Sequence, residues 1–269
     1  MPTDAFNAQF PTRGNWTPSQ LKLAFSLYLQ LPFGQFHKSN PQVQSLAALI
    51  GRSSSAVAMK LCSFASLDPA QGGKGLQNAS AQDRTTWDDF HRDWEGLALE
   101  CEQLRARLLR QRPGLSDPLQ IAEDPAADYT GLTREALVKQ RVGQALLRRT
   151  VLAVYGSRCC ISGLADPRLL VASHIVAWRD DPINRLNPRN GLCLSALHDR
   201  AFDAHLLTLD MELRVVVSER LLRLGDDLAA TAFAQARGRR ITLPERFHPD
   251  PAFVARHRQR FEQIPAGAS

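Results

Sequence analysis

Two short apolar runs separated by a loop of prolines and asparagines, with a helix directly after the second, make residues 158–210 the most constraining stretch of this chain. Leu169, Leu170, Val171 and Ala172 run into Ser173 and His174, which places a histidine at a strand end. After the loop, Asn190 and Gly191 open a second apolar run, and Ser195 then starts a brief helix carrying His198, Asp199 and Asp203. Imidazole, amide and carboxylate groups brought onto so small an apolar frame define a compact hydrolytic site.

The remaining sequence decides what surrounds that site. With 269 residues, 44% of them hydrophobic, there is room for two modest domains with real cores. A formal charge of +6 favours a polyanionic partner. The first residues lack a basic flank followed by an apolar core, and no apolar run approaches the roughly 18 residues of a membrane span, so a soluble, cytoplasmic protein without a membrane partner is expected. Cys62, Cys101, Cys159, Cys160 and Cys193 contain no CxxC pair, which supports neither a disulfide framework nor a structural zinc site; adjacent Cys159 and Cys160 read as small buried hydrophobes.

Along the chain, residues 16–30 predict a helix capped by Thr17, with Pro18 at its first position and Leu21, Ala24, Phe25 and Tyr28 on one face. A second helix starts at Asn40 and ends at Ile50. Gly51, the serines 53–55 and a third helix with Val57 and Leu61 inward then give helix-turn-helix spacing. In a DNA-reading version Ser53, Ser54, Ser55 and Lys60 face the nucleic acid; helical hairpins with a glycine turn also occur in folds that never touch DNA. One long helix is expected from Ser80 to Arg110, with Trp87, Phe90, Trp94, Leu97, Leu104 and Leu108 on a stripe. The expected organisation is α+β: a helical N-terminal domain (1–111) for DNA binding or sensing, a proline-rich linker (112–132), and a second domain (133–269). That domain opens with a helix capped by Thr133, whose Lys139, Arg141, Arg148 and Arg149 form a basic face that either holds a phosphate backbone or is simply solvated. A hairpin turning near Asp210, Met211 and Glu212 follows the central stretch, and a final helix, 251–263, carries Arg256, His257, Arg258 and Arg260.

Phosphodiester hydrolysis needs a base to take a proton from water and a divalent cation to neutralise developing charge. Neutral His174 suits the first task. Asn190 is the best local candidate to accept the ring's other N–H and so fix its tautomer. Asp199 and Asp203, four apart on a helix, place two hard oxygen ligands on one face, favouring magnesium or manganese over zinc. His198 either completes that shell or packs beside Phe202.

The segments CCISG, LLVASHIVAW and NPRNGLCLSALHDRAFD closely resemble the HNH endonucleases, members of the ββα-metal nucleases, over residues 141–218. The resemblance implies a ββα-metal nuclease domain, His174 as general base, Asn190 as the central Asn, Asp199 at the last motif position and Asp203 at a further ligand position. It departs from many members in having Ser173 before the base, where they hold a metal ligand, and Asp as the last letter in place of His. The segment from Trp16 to Pro69 resembles the N-terminal region of bacterial restriction-type HNH proteins. The implied function is metal-dependent DNA cleavage in restriction or defence, with a homodimer as one way to cut both strands. The alternatives are a DNA-binding regulator with a degenerate HNH module and an RNA nuclease.

Overall fold

The computed structural model describes residues 9–71, 75, 79–115 and 134–263. Most of the expected linker, the cap at Thr133 and the side chain of Lys139 lie outside them. The chain divides into two compact units, Met1–Thr150 and Val151–Ser269. The division falls inside the helix that the sequence reading assigns wholly to the second domain. No helix among the described residues is long and apolar enough to cross a membrane.

The first unit is helical. Helix α1 (Pro18–Gln30) begins on a capping box between Thr17 and Gln20 and is buried on all sides, not on the single face its spacing predicts. The difference has a physical origin: α2 (Pro41–Ile50), α3 (Ser54–Ala65), α4 (Ala81–Arg92) and α5 (Trp94–Gln111) all pack around it. Phe25 sits at the centre, edge-on to Phe64 with ring centroids 5.0 Å apart and tilted against Phe90 at 4.5 Å. The Gln20 amide donates to the Ile50 carbonyl at 3.1 Å, satisfying a group at the end of α2 that the helix itself leaves unpaired.

Gly51 closes α2 in the left-handed conformation (φ 74°) and Ser53 caps α3, so two helices joined by a glycine turn stand where they were expected. The long helix expected from Ser80 is instead two helices. Asp93 leaves the helical region at φ −144° and its carboxylate caps α5 through the Gly96 N–H at 2.8 Å, so a short acidic side chain wins the backbone from helix continuity.

The second unit starts with the end of α6 (Arg134–Val154) and contains two antiparallel pairs. Strand β1 (Leu170–His174) pairs with β2 (Gly191–Ser195) in a register that sets His174 opposite Gly191, and α7 (Ala196–Asp203) follows β2 directly. Strand β3 (Leu207–Leu209) pairs with β4 (Val215–Val217) through the expected turn, where the Asp210 carboxylate accepts the Arg214 N–H at 2.7 Å. Two short helices, α8 (Glu219–Leu222) and α9 (Asp227–Ala232), lead to α10 (Pro251–Gln263), which packs on β3. Strand β2 is buried along its whole length and forms the floor on which the ββα unit stands.

Candidate active site

His174 ends β1 at the lip of a cavity of about 400 Å³. Arg200 and Asp203 enter that cavity from α7, His205 from the turn after it, and Arg256 and Arg260 from α10. The Nε2–H of His174 donates to the Arg185 carbonyl at 2.8 Å, which leaves Nδ1 as the ring's lone-pair acceptor. Trp178 packs edge-on against the ring at 5.5 Å. Burial pushes the imidazole below its ordinary pKa, partly opposed by the Arg185 carbonyl, so the neutral, proton-accepting form persists below pH 6.5.

Asn190 does not touch the histidine, which corrects the expectation that it orients the ring directly. Its side chain is 0% exposed and grips the loop backbone. Oδ1 accepts the Val176 N–H at 2.8 Å, while Nδ2 donates to the carbonyls of Val176 at 3.1 Å and Asn184 at 3.3 Å. Arg185, which holds the imidazole, follows Asn184 immediately. Asn190 therefore sets the ring through one loop turn, and a backbone carbonyl performs the task assigned to the amide.

The same loop is tied to α10. Asp181 pairs with Arg256 at 2.6 Å and Asp180 with Arg260 at 2.5 Å. The Arg260 guanidinium holds the Asp180 carboxyl below the usual carboxylate range.

The candidate metal ligands separate. Asp203 reaches the cavity, where desolvation raises its carboxyl pKa against the lowering pull of Arg200. Asp199 is half-buried and is not among the cavity-lining side chains. His198 is 3% exposed and faces the other side of α7, which removes it as a ligand. Its Nε2–H donates to the Ala232 carbonyl at 2.9 Å and its Nδ1 accepts the Ser195 hydroxyl at 2.7 Å, so both nitrogens are engaged in holding α9 and the α7 cap. Cys159 lies 3.8 Å from the same Nδ1. Burial opposes ionisation of that thiol, but its contact with the His198 ring and hydrogen bonding from Ser162 outweigh it and bring its pKa down to about 6, unlike a mere small hydrophobe. Ser173 is not among the cavity-lining residues; it is 2% exposed and its hydroxyl has no hydrogen-bond partner.

Among the described residues no group of three or more His, Cys, Asp or Glu is arranged to hold a metal by itself.

The expected nucleic-acid contacts are also revised. Lys60 is bound to Asp83 at 2.8 Å, a carboxylate only 1% exposed that also caps α4, so its ammonium is not presented outward. Arg149 turns inward onto a small cavity beside Gln30 and Arg105, whereas Arg141 is exposed and Arg148 half-buried. These three belong to the first unit's part of α6.

The sequence reading missed His205, Arg200 and the contribution of α10. His257 of α10 is 4% exposed, stacks on Phe202 with centroids 3.7 Å apart and has its pKa pushed down to about 4, first by burial and then by neighbouring His205. Below an unfolded value near 6.5 the unfolded chain binds a proton that the folded chain refuses. The penalty is therefore absent above pH 6.5 and grows as pH falls toward 4, reaching about 3 kcal/mol. Denaturant unfolding of the wild type and His257→Leu at pH 7 and at about pH 4.5 measures it. The expected result is a smaller acid loss in the variant; equal losses would assign the acid sensitivity to other groups.

A strand ending in a histidine, a pinned loop, a second strand and a helix carrying a carboxylate form a ββα layout around the cavity. The family comparison falls on the same segment: residues 159–210 match the HNH endonuclease family, and the chain thus carries an HNH endonuclease domain. No curated protein matches the chain.

Proposed function

We propose that this protein is a metal-dependent DNA endonuclease that acts in restriction or defence, working in the cytoplasm. The observation that carries the reading is the tautomer of His174: with Nε2–H held by the Arg185 carbonyl, Nδ1 is left to take a proton from water at the edge of an arginine-lined cavity. As Nδ1 takes the proton, the water oxygen bonds to phosphorus and the ester oxygen leaves on the opposite side. Arg200, Arg256 and Arg260 give the cavity a cationic wall that suits a phosphate backbone. A divalent cation, magnesium or manganese, bound through Asp203 and the substrate would neutralise charge on the phosphate and leaving group. The helical unit, with the α2–turn–α3 pair, Arg141 and Arg148, would deliver DNA or sense the signal that licenses cutting; a homodimer would cut both strands.

Incubation of the protein with modified and unmodified plasmids, and with matched RNA duplexes, across magnesium, manganese, nickel and zinc tests this reading. Nicking of DNA that depends on the cation is the expected result. Tight, salt-sensitive binding with no cleavage under any cation would make the domain a binding module instead. Within a cleaving enzyme, Asp203→Asn should raise the cation concentration for half-maximal nicking by about tenfold or more. Asp199→Asn should change it much less, because Asp203 is the carboxylate lining the cavity. The reverse order would return the ligand role to Asp199.

A further inference from the structure

The end of α7 holds a histidine where the backbone would favour glycine. The Leu206 N–H bonds the Ala201 carbonyl and the His205 N–H bonds the Phe202 carbonyl, both at 2.9 Å, the paired closure of a helix whose next residue turns left-handed. His205 occupies that left-handed position at φ 51°. A side chain there costs free energy that glycine does not, and such strain is retained where the side chain has a task.

The ring of His205 is also held in a defined state. Its Nδ1 lies 3.2 Å from Nε2 of His257. The His257 Nε2 is in turn 3.1 Å from the Phe202 carbonyl, and its Nδ1 is 2.8 Å from the Thr208 hydroxyl. A carbonyl only accepts, so His257 carries its proton on Nε2, and the threonine hydroxyl donates to Nδ1. The His257 Nε2–H is then shared between the Phe202 carbonyl and His205 Nδ1. His205 Nδ1 is an acceptor, and the neutral ring carries its own proton on Nε2. That nitrogen cannot ligate a metal in this tautomer; it is a hydrogen-bond donor on a side chain lining the cavity that His174 also lines.

We propose that His205 is a substrate-binding residue of this site, whose Nε2–H donates to a non-bridging oxygen of the phosphodiester, and that His257 is the positioning residue that fixes its tautomer. The proposal rests on the phosphodiester reading above and adds to it the group that holds the phosphate beside the base. Thr208 and the Phe202 carbonyl complete the chain of hydrogen bonds from β3 and α7 to the substrate.

The tests use the full chain. Histidine ¹⁵N resonances of the cation-free protein should show His205 as the Nε2–H tautomer, with that signal shifting as inorganic phosphate is added; His257→Phe should lose the fixed tautomer. His205→Gly should keep the unfolding temperature at or above that of the wild type, because the left-handed strain is relieved, while single-turnover nicking falls roughly 100-fold, the scale of losing one aligned donor. His205→Asn, which tolerates the left-handed backbone and restores an N–H donor, should recover part of the loss. An Nδ1–H tautomer at His205, or wild-type nicking by His205→Gly, would overturn the proposal. If the wild type cut no nucleic acid, the nuclease reading would fall, while the tautomer and phosphate titration would still decide the role of His205.

Discussion

His174→Ala should lower DNA nicking by roughly 10²- to 10⁴-fold, the range a positioned general base contributes. The unfolding midpoint should change little by comparison, because the ring lines the cavity and its hydrogen bond is to a loop carbonyl. The pH profile gives a second check. Burial lowers the imidazole pKa, so activity should fall with acid only below pH 6.5, as the folded ring takes up its proton. Single-turnover nicking across pH with the wild type and the alanine variant measures both. A variant that nicks at the wild-type rate would remove His174 from the chemistry.

Asn190→Ala should destabilise the second unit by roughly 2 to 4 kcal/mol, because two buried backbone groups, the Val176 N–H and C=O, and the half-buried Asn184 carbonyl lose their partner at once. The loop next to Arg185 then loses its anchor, and the carbonyl that fixes the His174 tautomer moves with it. Activity measured well below the unfolding temperature should therefore also drop, although Asn190 touches no reacting atom. Denaturant unfolding reads the first effect, and a loss below about 1 kcal/mol would show that water or side-chain rearrangement replaces the amide.

The local elements were legible because each had its own chemistry. Thr17, Asn40 and Ser195 cap the helices they were expected to cap, and the Gly51 turn is left-handed as a helix end requires. The break at Asp93 was missed because the apolar stripe continues across it, and stripe spacing does not register a carboxylate that bonds its own backbone. In the site, His174 was legible from strand and loop, while the role of Asn190 was not, since an amide and a main-chain carbonyl can hold an imidazole equally well and only the backbone path distinguishes them. His198 and Asp203 share a short helix, and spacing alone did not reveal that the helix turns one inward and the other to the cavity. His205 had a readable signal in a histidine just past a helix end, where glycine is the usual choice. The arginines of α10 were visible as a basic helix, but their placement depends on tertiary pairing with Asp180 and Asp181.

Those two ion pairs have a consequence for the order in which the protein acquires activity. The strands, loop and helix that match the nuclease family are all made before α10, yet one wall of the cavity and the buttress of the loop come from α10. A chain from which α10 has not yet emerged thus carries an unfinished pocket, and Asp180 and Asp181 lack the arginines that tie their loop down. Docking of α10 adds Arg256 and Arg260 to the arginines already lining the cavity. Closure of the cavity is thus the last step of building this unit, since its wall and the anchor of its loop arrive together on one helix.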